Sequence, residues 1–186
     1  MVGGPLLLAW ASTTALHRRI YPEPMTPAAE GELISGPVHL VLRLPGTYAG
    51  IAEPLFVYGS PGNATLAYIR LLPGAKAQVG VELWGYKKIE SDEFSIPPDQ
   101  GVIRVDCSVP SFYQNQAASY WEGMDPSLSQ VLRRRILLAV DGQVRLRAEY
   151  DYVRNPNAIL ALGANPLGGS VVSSRFTGTV LSPKAR

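Results

Sequence analysis

The stretch "RRILLAVDGQVRLRAEY", residues 134–150, decides how the rest of the chain is read. Asp141-Gly142 joins two β-prone runs, and glycine there supplies the positive φ of a tight type I′ turn. In the second arm Val144, Leu146 and Ala148 are expected on one face, and Arg145, Arg147 and Glu149 on the other. Such alternation marks an antiparallel sheet with one wet face.

Working outward, "PVHLVLRLP" alternates in the same way. It places Val38, Leu40, Leu42 and Leu44 inside and His39, Val41 and Arg43 outside, so His39 is expected on a strand's outer face. "EPLFVYG" and "TLAYIRLL" follow, joined by "SPGNA", whose Pro-Gly-Asn order is a turn signal. "AQVGVELWG", "DEFSIPP", "GVIRVDCSV", "AILALG" and "SRFTGTV" bring the expected total to about ten strands, sandwich or barrel territory. Residues 114 to 132 break the pattern. Asp125-Pro126 can cap and start one short helix of a turn or two there. The cluster Arg133, Arg134 and Arg135 is expected to open the next strand and to lie in solvent.

Composition narrows the function classes. The chain has 186 residues, 46% of them hydrophobic and 17% charged, which suits one packed domain rather than disorder. Seventeen Lys and Arg stand against 15 Asp and Glu, a net charge of +2. That balance does not suit a nucleic-acid partner. The 18 Gly and 16 Pro are spread along the chain as turn punctuation. Cys107, the one cysteine, forms no intrachain disulfide and falls in an alternating run, where a small core residue is expected. Phosphate loops, dinucleotide fingerprints, nucleophile elbows, zinc spacings and internal repeats are absent from the sequence.

Residues 1–20 form an apolar arm with no charged side chain before His17 and Arg18. It is short of the roughly 20 apolar residues that span a bilayer. A cleaved signal, the remainder of a truncated membrane anchor and a loosely packed arm are the three readings, with membrane association through this segment preferred. Residues 21–34, with prolines at 22, 24 and 27, read as an extended spacer.

From "HLVLRLP" through "ILLAVDGQVRL" to "LALGANPLGG" and "FTGTV", the order of features resembles a laminin-G-like domain of the concanavalin A-like lectin and glucanase superfamily. The resemblance covers residues 35–182. It extends to bacterial proteins that place such a domain behind one N-terminal membrane segment. It implies an all-β fold, a two-sheet antiparallel jelly-roll sandwich, and a membrane-anchored or exported location, with a cytoplasmic one left open. It also implies that Phe176 and Val180 share the core face of a closing strand, with Gly178 where a side chain would crowd a neighbouring backbone.

The superfamily includes retaining glucanases, whose carboxylates alternate along one strand. Here "IESDEFS" offers Glu90 and Asp92, but Phe94 stands where the third acid belongs, so no catalytic residues are assigned. Calcium, which such relatives hold at a rim, needs six to eight oxygen ligands. Asp99, Asp125 and Asp151 are loop acids without dense spacing, so a calcium site falls on no particular residues. The expected function is a non-catalytic recognition module for a glycan or a surface protein. The alternatives are a structural ectodomain without a small ligand and a divergent glycan-active hydrolase. Sugar sites pair aromatic walls with placed amides. The candidates are Trp84, Tyr86, Tyr113 and Trp121, beside Tyr120, with the amides Asn63 and Asn165, and Asn155 of the same type. Trp84 has core packing as its competing role, and Asn165 a turn.

Overall fold

The computed structural model describes residues 38–84, 86–96, 101–114, 118–152, 155 and 157–181. The apolar arm, the spacer and Asp99 lie outside them.

Alternation builds two antiparallel sheets. The first holds β1 (Val38–Arg43), β7 (Val102–Ser108), β8 (Arg135–Val140), β9 (Gln143–Glu149) and β11 (Thr179–Leu181), in the order β11-β1-β7-β8-β9. The second holds β2 (Ala52–Ser60), β3 (Asn63–Leu72), β4 (Lys76–Leu83), β5 (Lys87–Glu90) and β10 (Ile159–Leu162), in the order β10-β2-β3-β4-β5. The short β6 (Phe94–Ser95) also pairs with β4. This is the expected all-β, two-sheet antiparallel sandwich of the jelly-roll kind, with eleven strands among the described residues.

The core lies between the sheets. Every second residue of β1, Val38, Leu40 and Leu42, meets Ala67, Ile69, Leu71, Val79 and Val81 from the facing sheet in one apolar cluster. Cys107 is fully buried in it and Phe176 nearly so, with Val180 packed alongside. Asp141 and Gly142 both take positive φ, 50° and 77°, as a type I′ hairpin requires. A Cβ on Gly178 would fall against the Arg43 carbonyl oxygen and 2.7 Å from the Phe176 ring. The closing strand therefore needs glycine there.

Two expectations are corrected. The alternation of β9 is interrupted, because the β8–β9 register shifts between Leu138 and Ala139. A bulge of this kind turns the strand by one residue. Val144 then pairs with Ala139 and is 38% exposed, while Arg145 sits with its guanidinium 4.4 Å from the Phe94 ring centroid. Arginine tolerates that position because its charge lies over an aromatic face.

Residues 110–134 are also more helical than expected. They carry α1 (Pro110–Gln114), a 3-10 turn (Ala118–Tyr120) and the nine-residue α2 (Pro126–Arg134). Asp125 caps α2, accepting from Ser127 N at 2.8 Å and Leu128 N at 3.2 Å, and Pro126 fills the first turn, where no N–H is missed. Arg133 and Arg134 thus end a helix, where cations suit the dipole. Of the three arginines only Arg135 opens β8. No helix among the described residues is long and apolar enough to cross a membrane.

Candidate functional site

The six residues singled out in the sequence fall in four places. Asn63 closes the β2–β3 hairpin, its backbone oxygen accepting from Asn155 Nδ2 at 2.8 Å. Trp84 and Tyr86 follow β4 in the next turn but have opposite surroundings. Tyr86 is 83% exposed, while Trp84 is half-buried against an apolar cluster on the outer face of the second sheet.

Tyr113 and Trp121 do come together, with ring centroids 6.3 Å apart and Tyr120 edge-on to Trp121 at 5.0 Å. Tyr113 is a correction to the surface reading. It is buried, its hydroxyl lies 3.2 Å from Ser108 Oγ, and burial pushes its phenol pKa above the ordinary range. Trp121 has one face occupied by the Arg133 guanidinium, 4.0 Å from the ring centroid. This aromatic group fastens the helical excursion to the sandwich. Asn165 is buried in the segment after β10, its N–H bonded to the Ser174 carbonyl at 2.9 Å. Its Oδ1 has no hydrogen-bond partner among the described residues.

The outer face of the second sheet is where a flat ligand could have lain. The chain covers much of it with its own residues 163–178. Val172 and Leu167 of that strap pack on Ala52, Val57, Ala64, Leu66 and Tyr68. Ser170 Oγ donates to Glu82 at 2.6 Å, and Ser173 N to the Ala52 carbonyl at 2.8 Å. At the strap's end Thr177 N donates to Glu53 at 2.8 Å. A Cβ at Gly169 would come 3.3 Å from the Trp84 ring. The Gly-rich closing loop therefore binds its own sheet, and Trp84 belongs to that packing.

Beside the strap lies a charged row. Tyr68 Oη donates to Glu90 at 2.8 Å, with Arg70 at 3.0 Å and Lys88 at 2.9 Å from the same carboxylate oxygen. Partial burial works against the Glu90 anion. The hydrogen bonds from Lys88 and Tyr68 and the charges of Arg70 and Lys88 outweigh it and hold the carboxyl below its ordinary value. Glu90 is thus a fixed anion rather than a proton donor, and Phe94, at the third glucanase position, is buried. Because the folded-state value is the lower one, the stabilisation is present above the ordinary glutamate pKa of about 4.3. It is lost as pH falls through the folded value. Wild type is expected to melt higher than Glu90→Gln near pH 7, with the gap narrowing as pH falls below the ordinary glutamate value in a series of thermal melts. A gap independent of pH would contradict the assignment.

A concavity lies at the end of the sandwich that carries the β3–β4 turn, away from the β2–β3 hairpin. It is a cleft of about 500 Å³ lined by Leu44, Pro45, Gly46, Tyr48, Pro73, Gly74 and Gly101. The β1–β2 connection forms one wall and the β3–β4 turn another. Leu44 N bonds the Gly101 carbonyl at 2.9 Å and Gly50 N the Leu71 carbonyl at 2.8 Å, fixing the walls to both sheets. Tyr48 is half-buried against the core, so the ring is anchored by packing. At Gly46, Gly74 and Gly101 a Cβ would meet nothing within 4 Å, so backbone borders open space.

No protein-family model matches the sequence, and no curated protein matches it. Among solved structures, the mouse laminin alpha1 chain, domains LG4-5, aligns with a TM-score of 0.38 and 14% identity. The alignment covers 76% of this chain and 31% of that one, so this chain spans about a third of its length. The fold assignment rests on the two sheets themselves.

None of the six residues chosen from the sequence lines the cleft. One signal could have found it: the tripeptide Leu-Pro-Gly occurs at 44–46 and again at 72–74, and the two copies meet at this rim. Two of the three acids considered for calcium serve other roles. Asp125 caps α2, and Asp151 pairs with Arg134 at 2.9 Å. Among the described residues no three His, Cys, Asp or Glu side chains converge on one point.

Proposed function

We propose that the protein is a non-catalytic recognition module that binds carbohydrate in the rim cleft, in an exported or cell-surface setting. The observation that carries this reading is the cleft of about 500 Å³, which joins the Tyr48 ring and two prolines to three bare glycine backbones. Its volume falls within the range of small-ligand sites, and an anchored ring with polar backbone groups around it suits a sugar's apolar face and its hydroxyls. The non-catalytic part rests on Glu90, held as an anion by three donors with no third acid beside it.

Gly46→Trp tests the reading. Gly46 is exposed, its φ lies outside the left-handed region, and a side chain there meets open space, so the indole fills the cleft without straining the backbone. Wild type is expected to bind a neutral glycan on an array, and Gly46→Trp to lose at least about 10-fold in affinity, equivalent to 1.4 kcal/mol. Its melting temperature should be unchanged. An array silent for wild type, or binding indifferent to Gly46→Trp, would overturn the carbohydrate assignment.

A further inference from the structure

Among the described residues the strand orders end in β11 and β9 in the first sheet and in β10 and β5 in the second, with the two-residue β6 beside β5 on β4. An edge strand offers unpaired backbone groups to any extended chain, and proteins blunt such edges with charge, proline or shortness. Three of these four are blunted. β9 carries Arg145, Arg147 and Glu149, β5 carries Lys87, Lys88 and Glu90, and β11 has only three residues. β10 itself carries no charged residue and no proline. From Ala158 to Leu162 it is apolar throughout, and Ile159 and Leu162 are 46% and 44% exposed.

We propose that β10 is a self-association edge, through which two copies of this chain pair antiparallel and continue the second sheet across a two-fold axis. An axis perpendicular to the sheet keeps like faces together, so residues of the same parity oppose each other. Centred on Leu160, it sets Leu160 against Leu160 of the partner subunit and Ile159 against Ala161 of the partner subunit. Every such pair is apolar with apolar. On β5 the same operation centred on Lys88 would set Lys88 against Lys88 of the partner subunit, a repulsive arrangement. Selection of a foreign strand relies on side-chain pockets beside the edge. What β10 presents instead is exposed aliphatic surface, which its own copy matches. Because the paired strands run antiparallel, the rim clefts of two joined copies point to opposite ends of the particle.

Four residues make a ladder about 14 Å long. That area falls short of the roughly 1,200 Å² common in stable interfaces, so the dimer is expected to be concentration-dependent. Sedimentation equilibrium of the full chain tests this. The wild-type mass should rise with concentration from 20.1 kDa toward twice that value. The double variant Ile159→Lys/Leu162→Lys should stay at the single-chain mass with an unchanged circular dichroism spectrum, since both positions face solvent. Val144→Lys on the β9 edge should dimerise like wild type. A wild-type mass fixed at one chain, or a dimer that survives the double variant, overturns the proposal. So does a monomer that captures extended peptides through β10, which would assign the edge to a different partner.

Discussion

Phe112→Ala is expected to destabilise the protein by about 3–5 kcal/mol, the range for deleting a large ring from a packed core. The melting temperature should fall by roughly 10 °C, given about 2–4 °C per kcal/mol at this chain length. The size of the effect follows from the shape of the excursion between β7 and β8. α1 has five residues, too few to hold a helix without tertiary contacts. Phe112 supplies those contacts, with its ring 4.5 Å from Tyr58 and 5.3 Å from Phe56, both on the facing sheet. Tyr113, one residue on, turns to Ser108 and the Tyr120–Trp121 group. One short helix thus links the core to the aromatic cluster. The variant should therefore also lose near-ultraviolet circular dichroism from the tryptophan environment. Thermal melts measure the first effect, and a loss under about 1 kcal/mol would show that the ring fills no essential space.

What the sequence revealed, and what it hid, divides by the range of the interaction. The burial of Val38, Leu40 and Leu42 needs only a period of two, and the Asp141-Gly142 turn needs only two residues. Both were legible. The β8–β9 bulge was not, because "QVRLRAE" alternates without a flaw; the register slips where Arg145 finds the Phe94 ring, a residue distant in sequence. The extent of α2 was underestimated for a similar reason. Its cap at Asp125 was readable, but three consecutive arginines carry no sign of where a helix stops and a strand starts.

The candidate site was harder still. Exposed loop aromatics were the natural choice for a sugar platform, yet Tyr113 is core and Trp84 is roofed by the strap. Neither outcome can be read from neighbours in sequence, since the covering residues Leu167 and Val172 come some eighty positions after Trp84. The cleft contains almost no conspicuous chemistry. It is built from two Leu-Pro-Gly turns and one tyrosine, residues whose ordinary role is to change chain direction. In the proposed reading the ligand is held by the hollow that the turns leave between them.

Gly80→Val is expected to cost about 3–4 kcal/mol, combining overpacking with the loss of a hydrogen bond to a charged group. Tyr68, Gly80 and Glu90 stand in one row across β3, β4 and β5, as the pairings Tyr68↔Gly80 and Gly80↔Glu90 record. The bare glycine lets the Tyr68 ring lie flat over β4 and carry its hydroxyl to the carboxylate one strand beyond. A Cβ at Gly80 would clash with the ring, nearest its Cζ. The tyrosine must then lift, giving up its burial and its bond to Glu90 and pushing against the strap. The mechanism makes a sharper claim than the size of the loss. With Tyr68→Ala already in place, valine at position 80 has no ring to displace, so its added cost should fall below about 1 kcal/mol. Chemical denaturation of the two single variants and the double variant gives the coupling energy directly. Strict additivity would mean that Gly80 is required for backbone reasons alone, and that Tyr68 does not depend on the space above it.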